Sequence, residues 1–404
     1  METADADATP WPGPLQGIKV VDFSRVLAGP FATQMLGDLG AEIIKIESPD
    51  GDDTRHFPPM RDGVSHYFLS TNRNKKSIVV DLKDPKGIQV IRDLIKTADI
   101  VVENFRPGVM ERLGLGYDAV EAINPRIIYC AISGFGMTGP LKDRPSFDIV
   151  GQALSGALSV NGEAGRPATK MGIPLGDLVG GVYGPIAILG ALHERHTTGK
   201  GRLIDISLLD GMIGMLGYLA QLSFFQGVDP QPQGSSHPNL VPYGIFPASD
   251  GSIVIACLTN VFWARICRAL DLPEAIDDPR FSSIEARRDH RAEVTEMLNA
   301  RTSARTVAEL EAFFEAHEVP YAPVLGVGAA LSQPQAVARE MVVNVDHPVL
   351  GSIPIVGRSI KYPGATPAPV TAPPTLGQHT DEILRTLGRS EEQIADLRTG
   401  GTVN

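Results

Sequence analysis

Cysteine is scarce. Three of the 404 residues, Cys130, Cys257 and Cys267, carry a thiol, and no C-x-x-C pair is present. That excludes a disulfide-stapled module and leaves the thiols as small apolar residues in a reducing, cytoplasmic setting. Histidine, cysteine and carboxylate residues show no ligand spacing, so no metal is expected. Long runs of one charge are missing too: 36 basic side chains stand against 47 acidic ones, a net −11 spread along the chain. A general nucleic-acid partner is thereby excluded, whereas local basic pockets are not. No apolar run approaches the ~20 residues of a membrane span, so no membrane partner is expected. Residues 1–14 are acidic and proline-containing, unlike a targeting peptide, and are expected to form a disordered lead.

What is present is the composition of an ordinary globular protein, 43% hydrophobic and 21% charged, long enough for two or three domains. Short apolar runs alternate with helical spacing. Ile18–Phe23, Glu42–Glu47, Ser77–Leu82, Asp99–Glu103, Arg126–Ser133 and Gly201–Ser207 read as strands. Phe31–Leu39 and a segment capped by Asp84-Pro85 read as helices between them. Repeated βα units imply a mostly parallel, doubly wound α/β sheet, in which ligands collect beyond the carboxyl ends of the strands. Those ends carry Ser24–Gly29, Lys83, Asn104–Arg106 and Ser133–Gly139. Each alone is also ordinary turn chemistry. The first turn lacks G-x-G-x-x-G, so NAD binding is not expected.

An apolar helix is expected from Leu208 to Phe225, after which the texture changes to a Pro-, Gln- and Ser-rich loop. A hairpin over Tyr243–Cys257 then opens a smaller α+β unit with helices near Val261–Leu270, Arg287–Thr302 and Thr306–His317. Short strands within Met341–Lys361 and helices at Asp381–Leu387 and Ser390–Arg398 close the chain. The expected division is a large domain over 15–225, a small domain with linkers over 226–335, and a return segment over 336–404 completing the large domain.

The stretch Lys170–Gly184 stands apart. Gly172, Pro174 and Gly176 mark a tight approach to a helix running to about His196, and Asp177 sits in its first turn, followed by Gly180, Gly181 and Gly184. Two readings of Asp177 stay open on local sequence. It is an acid answering the helix dipole and free amides, or a carboxylate held ionised by them and aimed at an activated acyl group. The second needs a carboxylate of low pKa, which a helix N-terminus favours, and the Gly-rich amides are candidates for oxyanion stabilisation.

Several motifs in fixed order resemble one family. They are Asp22–Pro30, Gly40–Glu47, Asn74–Ser77, Val102–Gly108, Ser133–Gly136, Gly176-Asp177 and Val343–Gly351. Together they look like the class III coenzyme A transferases, the CaiB/BaiF family, which also includes 2-methylacyl-CoA racemases; the match runs from about Leu15 to the C-terminus. The resemblance implies a Rossmann-like large domain built from both chain ends, an inserted small domain, and an interlocked homodimer. In such a dimer the active site lies between the large domain of one subunit and the small domain of the other. It also implies acyl-CoA and small carboxylic acids as partners, with no cofactor beyond coenzyme A itself as substrate.

Residue by residue, Asp177 falls on the family's nucleophile and Asp148 on its acidic or polar upstream position. Lys83, Asn104, Phe105 and Arg112 fall on positions holding the adenine, ribose and phosphates; Leu27 and Ala28 lie by the pantetheine arm; Arg106 matches a variable coenzyme A contact. Arg25 takes a first-turn position that meets a carboxylate or a phosphate, or else serves as a cap or salt-bridge residue, and His237 belongs to the lid region. Two departures argue against racemisation: Phe147 stands where a racemase has histidine, and Thr259 where it has glutamate, leaving no proton path. A racemase and a catalytically silent coenzyme A-binding paralogue are the alternatives to a transferase that passes coenzyme A, with succinyl-CoA a possible donor, through an aspartyl-CoA thioester.

Overall fold

The strand-forming runs are apolar on both faces, as a sheet covered on both sides requires. In the computed structural model, which describes residues 10–404, six of them form one parallel sheet. In chain order the elements are β1 (Lys19–Asp22), α1 (Ala28–Asp38), β2 (Glu42–Glu47), a hairpin of β3 (Met60–Arg61) and β4 (Val64–Ser65), α2 (His66–Thr71) and β5 (Lys75–Val79). Next come α3 (Pro85–Ile95), β6 (Ile100–Glu103), α4 (Val109–Arg112), α5 (Tyr117–Ile123), β7 (Ile128–Ser133), α6 (Asp148–Leu154), α7 (Leu175–Thr198) and β8 (Arg202–Ser207). The strand order is β5-β2-β1-β6-β7-β8, every neighbour parallel. The order reverses between β1 and β6, which is where a doubly wound sheet opens a crevice beyond its carboxyl ends.

Alternation along the strands splits the core into two layers. Val21, Val101 and Tyr129 face one cluster with Ile91 and Leu94 of α3; Val20, Val102 and Cys130 face the other with Ala32 and Leu36 of α1 and Ile188 of α7. α3 starts as its sequence dictates: the Asp84 side chain accepts from the Lys86 amide, with Pro85 in the first turn. α1 begins three residues earlier than its apolar spacing suggests, so Ala28–Pro30 are helical.

Three further expectations need correction. α7 is long and apolar enough to cross a membrane by composition, with a window of mean hydropathy 1.5, contrary to the sequence reading. Half of that window is buried, and the helix packs against α1 in the second core layer. The single helix expected over 208–225 is two, α8 (Leu208–Met215) and α9 (Tyr218–Gln226), bent by 71°. Gly217 makes the break at φ 54°, where a residue with a Cβ is strained. Of the lead expected to be disordered, residues 1–9 lie outside the described residues, but Trp11 is held: its amide donates to Thr366 O at 2.7 Å and its ring meets Tyr362 edge-on.

The chain divides into two compact units, one of residues 1–157, 171–221 and 335–404, the other of 158–170 and 222–334. Leu158–Lys170 thus groups with the smaller unit and interrupts the range 15–225. The smaller unit contains β9 (Tyr243–Pro247), β10 (Ser252–Ala256), α10 (Asn260–Ala269), α11 (Ile284–Asp289), α12 (Arg291–Thr302), α13 (Val307–Ala316), β11 (Tyr321–Pro323) and α14 (Val327–Ser332). Its antiparallel sheet, ordered β11-β10-β9, covers a core of Trp263, Phe281, Leu298 and Phe314. After α15 (Pro334–Ala338), the chain returns to the larger unit as the hairpin β12 (Val342–His347) and β13 (Gly351–Val356), then α16 (Thr380–Thr386) and α17 (Glu391–Thr399). Ile383, Leu384 and Ile394 complete the first core layer.

Candidate active site

The turn leaving β1 is braced from beneath by buried charge. Asp22 Oδ1 accepts from the Ser24 amide and hydroxyl, and Oδ2 from Thr33 Oγ1 at 2.6 Å and Lys75 Nζ at 3.1 Å. Lys75 also donates to Pro30 O. Lys45 Nζ donates to Ser24 O at 2.8 Å and Asp52 Oδ2 at 2.9 Å, while Asp52 Oδ1 accepts from the Val26 and Thr54 amides. Burial alone would raise the Asp52 carboxyl; the Lys45 ammonium and the Thr54 hydrogen bonds override it and hold the pKa below the ordinary value. The brace is needed because Val26 sits at φ 68°, a left-handed conformation costly for a β-branched residue.

The turn leaving β6 is tied to the first. The Asn104 side chain accepts from the Arg25 amide at 2.8 Å and donates to Arg25 O at 2.7 Å. Glu103, its carboxyl pushed up to about 8 by burial, accepts from the Phe105 amide at 2.7 Å. The Arg25 guanidinium lies 5.0 Å from the Phe105 ring centroid and 3.6 Å from Asp53.

Glycine lets α7 approach these turns. A Cβ on Gly180 would lie 2.4 Å from the end of the Leu208 side chain, and one on Gly181 2.7 Å from the Phe31 ring and 3.0 Å from Ala28 O, so either would force its neighbours to shift. Asp177 is the third residue of α7, whose N-cap Pro174 supplies no side-chain cap. The first-turn amide of Gly176 donates to Asp148 Oδ1 at 2.7 Å. Asp148 Oδ2 accepts from Gln152 Nε2 at 2.6 Å, and Gln152 Oε1 from the Met171 amide at 3.1 Å. Burial, and then the Asp148 carboxylate, raise Asp177 to about 6. The expectation of a lowered pKa is overturned: the helix-start amide that would have stabilised the anion serves another carboxylate, and desolvation prevails. The same amide is withdrawn from the oxyanion candidates.

A cavity of about 180 Å³ opens at the sheet's switch point. Asp177 lines it together with Leu27, Ala28, Asn104, Phe105 and Arg106, joined by Val26, Ser133, Phe147 and Leu208. Asp148 stands behind it through Gly176, and Arg25 beside it through Asn104 and Phe105. Lys83 and Arg112 are exposed and do not line it. His237 belongs to the smaller unit, where its Nδ1 accepts from the Asn239 and Leu240 amides. Thr259 caps α10 by accepting from the Phe262 amide. Sequence reasoning missed Lys142 and Arg144, which also line the cavity, and Tyr67, whose phenol is raised by burial and by the Asp177 and Asp148 carboxylates. Lys142-Asp143-Arg144 follows a turn without any distinguishing spacing, so no signal marked it. Among the described residues no group of three or more His, Cys, Asp or Glu is placed to hold a metal ion.

Asp177 thus stands at a helix start in a cavity with apolar walls and three cations, Arg106, Lys142 and Arg144, among its lining residues. Residues 15–380 match the model of CoA-transferase family III, and the chain belongs to that family. The human succinyl-CoA:glutarate CoA-transferase (Homo sapiens) is 39% identical over 394 residues, 97% of this chain and 90% of that protein. The succinyl-CoA:mesaconate CoA-transferase of Haloarcula marismortui is 36% identical, covering 93% of this chain and 97% of that protein. A crystal structure of a CaiB/BaiF family protein from Brucella suis superposes with a TM-score of 0.86 at 37% identity, covering 93% of this chain and all of that one.

Proposed function

We propose that this protein moves coenzyme A from succinyl-CoA or a similar acyl-CoA donor to a carboxylic acid acceptor, with Asp177 as the acyl carrier. The observation that carries the reading is the position of Asp177: at the start of α7, in one cavity with Leu27, Ala28, Asn104, Phe105 and Arg106. Relatives named for succinyl-CoA as donor support the choice of donor.

A carboxylate oxygen of Asp177 attacks the thioester carbonyl of the donor; the C–S bond breaks, giving a mixed anhydride and coenzyme A thiolate. The thiolate attacks the aspartyl carbonyl, releasing the donor acid and leaving an aspartyl-CoA thioester. The acceptor carboxylate attacks that thioester, expelling the thiolate again. The thiolate then attacks the acceptor carbonyl of the new anhydride, giving acceptor-CoA and free Asp177. No water enters and no electrons change hands, so thioester energy is conserved.

In this reading Leu27 and Ala28 flank the pantetheine arm and Phe105 and Arg106 meet the nucleotide end, while Asn104 and Asp148 hold the two loops in place. Lys83, Arg112, Arg25 and His237 remain assigned to coenzyme A or acid contacts on the family resemblance. The reading includes an interlocked homodimer in the cytoplasm and no cofactor besides coenzyme A as substrate. Phe147 in the cavity wall, without a titratable group, speaks against a racemase.

The test is Asp177→Ala and Asp177→Asn. Exchange between succinyl-CoA and a dicarboxylic acid is expected to vanish while coenzyme A binding persists, and hydroxylamine should trap one modified carboxyl in the wild type alone. Turnover by either variant overturns the assignment. Deuterium washing into the α-carbon of an acyl-CoA substrate would favour a racemase instead.

A further inference from the structure

The chain carries a net charge of −11, yet the charged residues lining the Asp177 cavity are three cations, Arg106, Lys142 and Arg144, against the single carboxylate of Asp177. The three are exposed, and among the described residues none is paired with a carboxylate. Elsewhere on the surface some arginines are paired, Arg202 with Glu194, Arg385 with Glu391 and Arg398 with Asp381, while Arg92, Arg112, Arg166, Arg268 and Arg339 are exposed without an ion pair among the described residues, so it is the shared cavity that sets these three cations apart. Lys142 and Arg144 come from the loop between β7 and α6, the Arg144 amide donating to Leu141 O at 2.8 Å. That loop leads directly to Ser146 and Phe147, which also line the cavity, and to Asp148, which fixes the start of α7.

Three cations without carboxylate partners lining one cavity of an acidic protein are placed to hold an anion, and lysine with arginine offers both a point charge and a planar fork. We infer that Lys142 and Arg144 are an anion-recognition edge of the Asp177 cavity, which selects substrates carrying a charged group away from the reacting carbonyl. Two such groups exist in the reaction proposed above, on which this inference rests: the distal carboxylate of a dicarboxylic acid and the phosphates of coenzyme A. Both demand the same chemistry of the protein. Neither residue touches the reacting atoms in this scheme, so both act on selection.

The experiment compares wild type, Lys142→Ala/Arg144→Ala and Arg144→Lys. Its readouts are kcat/KM with glutarate and with pentanoate as acceptors, and calorimetric affinities for glutarate, coenzyme A and pantetheine. If the edge holds a distal carboxylate, the double variant loses about ten- to a hundredfold in kcat/KM and affinity for glutarate, with pentanoate and coenzyme A unchanged. If it holds a phosphate, coenzyme A affinity falls by a similar factor, pantetheine is unaffected, and both acids lose equally in kcat/KM. Arg144→Lys retains part of the preference in either case. Unchanged values throughout, or a uniform loss that includes pantetheine, overturn the inference. The affinity arms stand without turnover, so an active Asp177→Ala variant would remove the proposed mechanism while leaving the anion edge to be judged by binding.

Discussion

Asp148 Oδ1 accepts the Gly176 amide at 2.7 Å, one residue before Asp177. One carboxylate therefore does two things to its neighbour: it fixes the first turn of α7, and its charge raises the Asp177 pKa. The two effects separate by substitution. Asparagine keeps an oxygen for the Gly176 amide and drops the charge together with the Gln152 Nε2 hydrogen bond; alanine removes all three. Asp148→Asn should move the acid limb of the exchange rate to lower pH with kcat at neutral pH little changed. Asp148→Ala should cost about 1–2 kcal/mol of stability and lower kcat, because a buried amide loses its partner. Equal behaviour of the two variants in denaturant and pH titrations would refute the division of roles.

With Asp177 raised to about 6, its carboxylate is mostly ionised at pH 7.5 and mostly protonated at pH 5. Exchange should fall along a single limb centred near pH 6. Stability follows with the opposite sense. A carboxyl whose folded-state pKa is raised contributes stability below the unfolded value, and that contribution is lost as pH rises through about 6. Asp177→Asn should therefore be more stable than wild type above pH 7, by about 2 kcal/mol, with the difference shrinking toward pH 4. Thermal melts at both pH values check this; a less stable Asn variant at pH 8 would contradict it.

Much of the fold is legible because its signals are local. The apolar β runs, the Asp84-Pro85 cap and the capping box joining Thr306 to Glu309 are written within a few residues. The break between α8 and α9 was legible as well, in Gly217, but an unbroken apolar pattern outweighed one glycine. The site was half visible. Asp177 and the turns after β1 and β6, singled out in the sequence, do line one cavity, the turns because a parallel sheet exposes those ends. What failed depends on distance in sequence: Asp148 claims the amide of a residue 28 positions away, and no local rule states which carboxylate wins it. Lys83 follows β5 and Arg112 ends α4, and only the folded path shows that neither lines the cavity around Asp177.

The Lys45–Asp52 pair is buried completely, both side chains having no exposed surface. Removing one member leaves a buried charge without its counterpart, the costly case for a buried pair. Lys45→Met should lower stability by about 3–5 kcal/mol, and Lys45→Met/Asp52→Leu by less than the single change. Asp52→Asn keeps an oxygen for the Val26 and Thr54 amides but turns an NH2 toward Lys45 Nζ and strands that ammonium, so it should destabilise too, and raise KM for the acyl-CoA more than it lowers kcat, through a loosened Val26–Ala28 turn. Urea unfolding and steady-state kinetics decide both points.

Two glycines of α7 should respond oppositely to alanine. A Cβ on Gly181 would stand 2.7 Å from Phe31 and 3.0 Å from Ala28 O, a backbone atom that cannot step aside. Gly181→Ala should destabilise by about 1–3 kcal/mol and displace Ala28 from the cavity wall, raising KM as well. Gly190, about two and a half turns further on, faces open space and is exposed. Gly190→Ala should stabilise by about 0.5–1 kcal/mol, because alanine favours the helix and narrows the unfolded ensemble. If chemical denaturation shows the two substitutions shifting stability in the same direction, the close crossing of α7 over α1 is not what holds the cavity in shape.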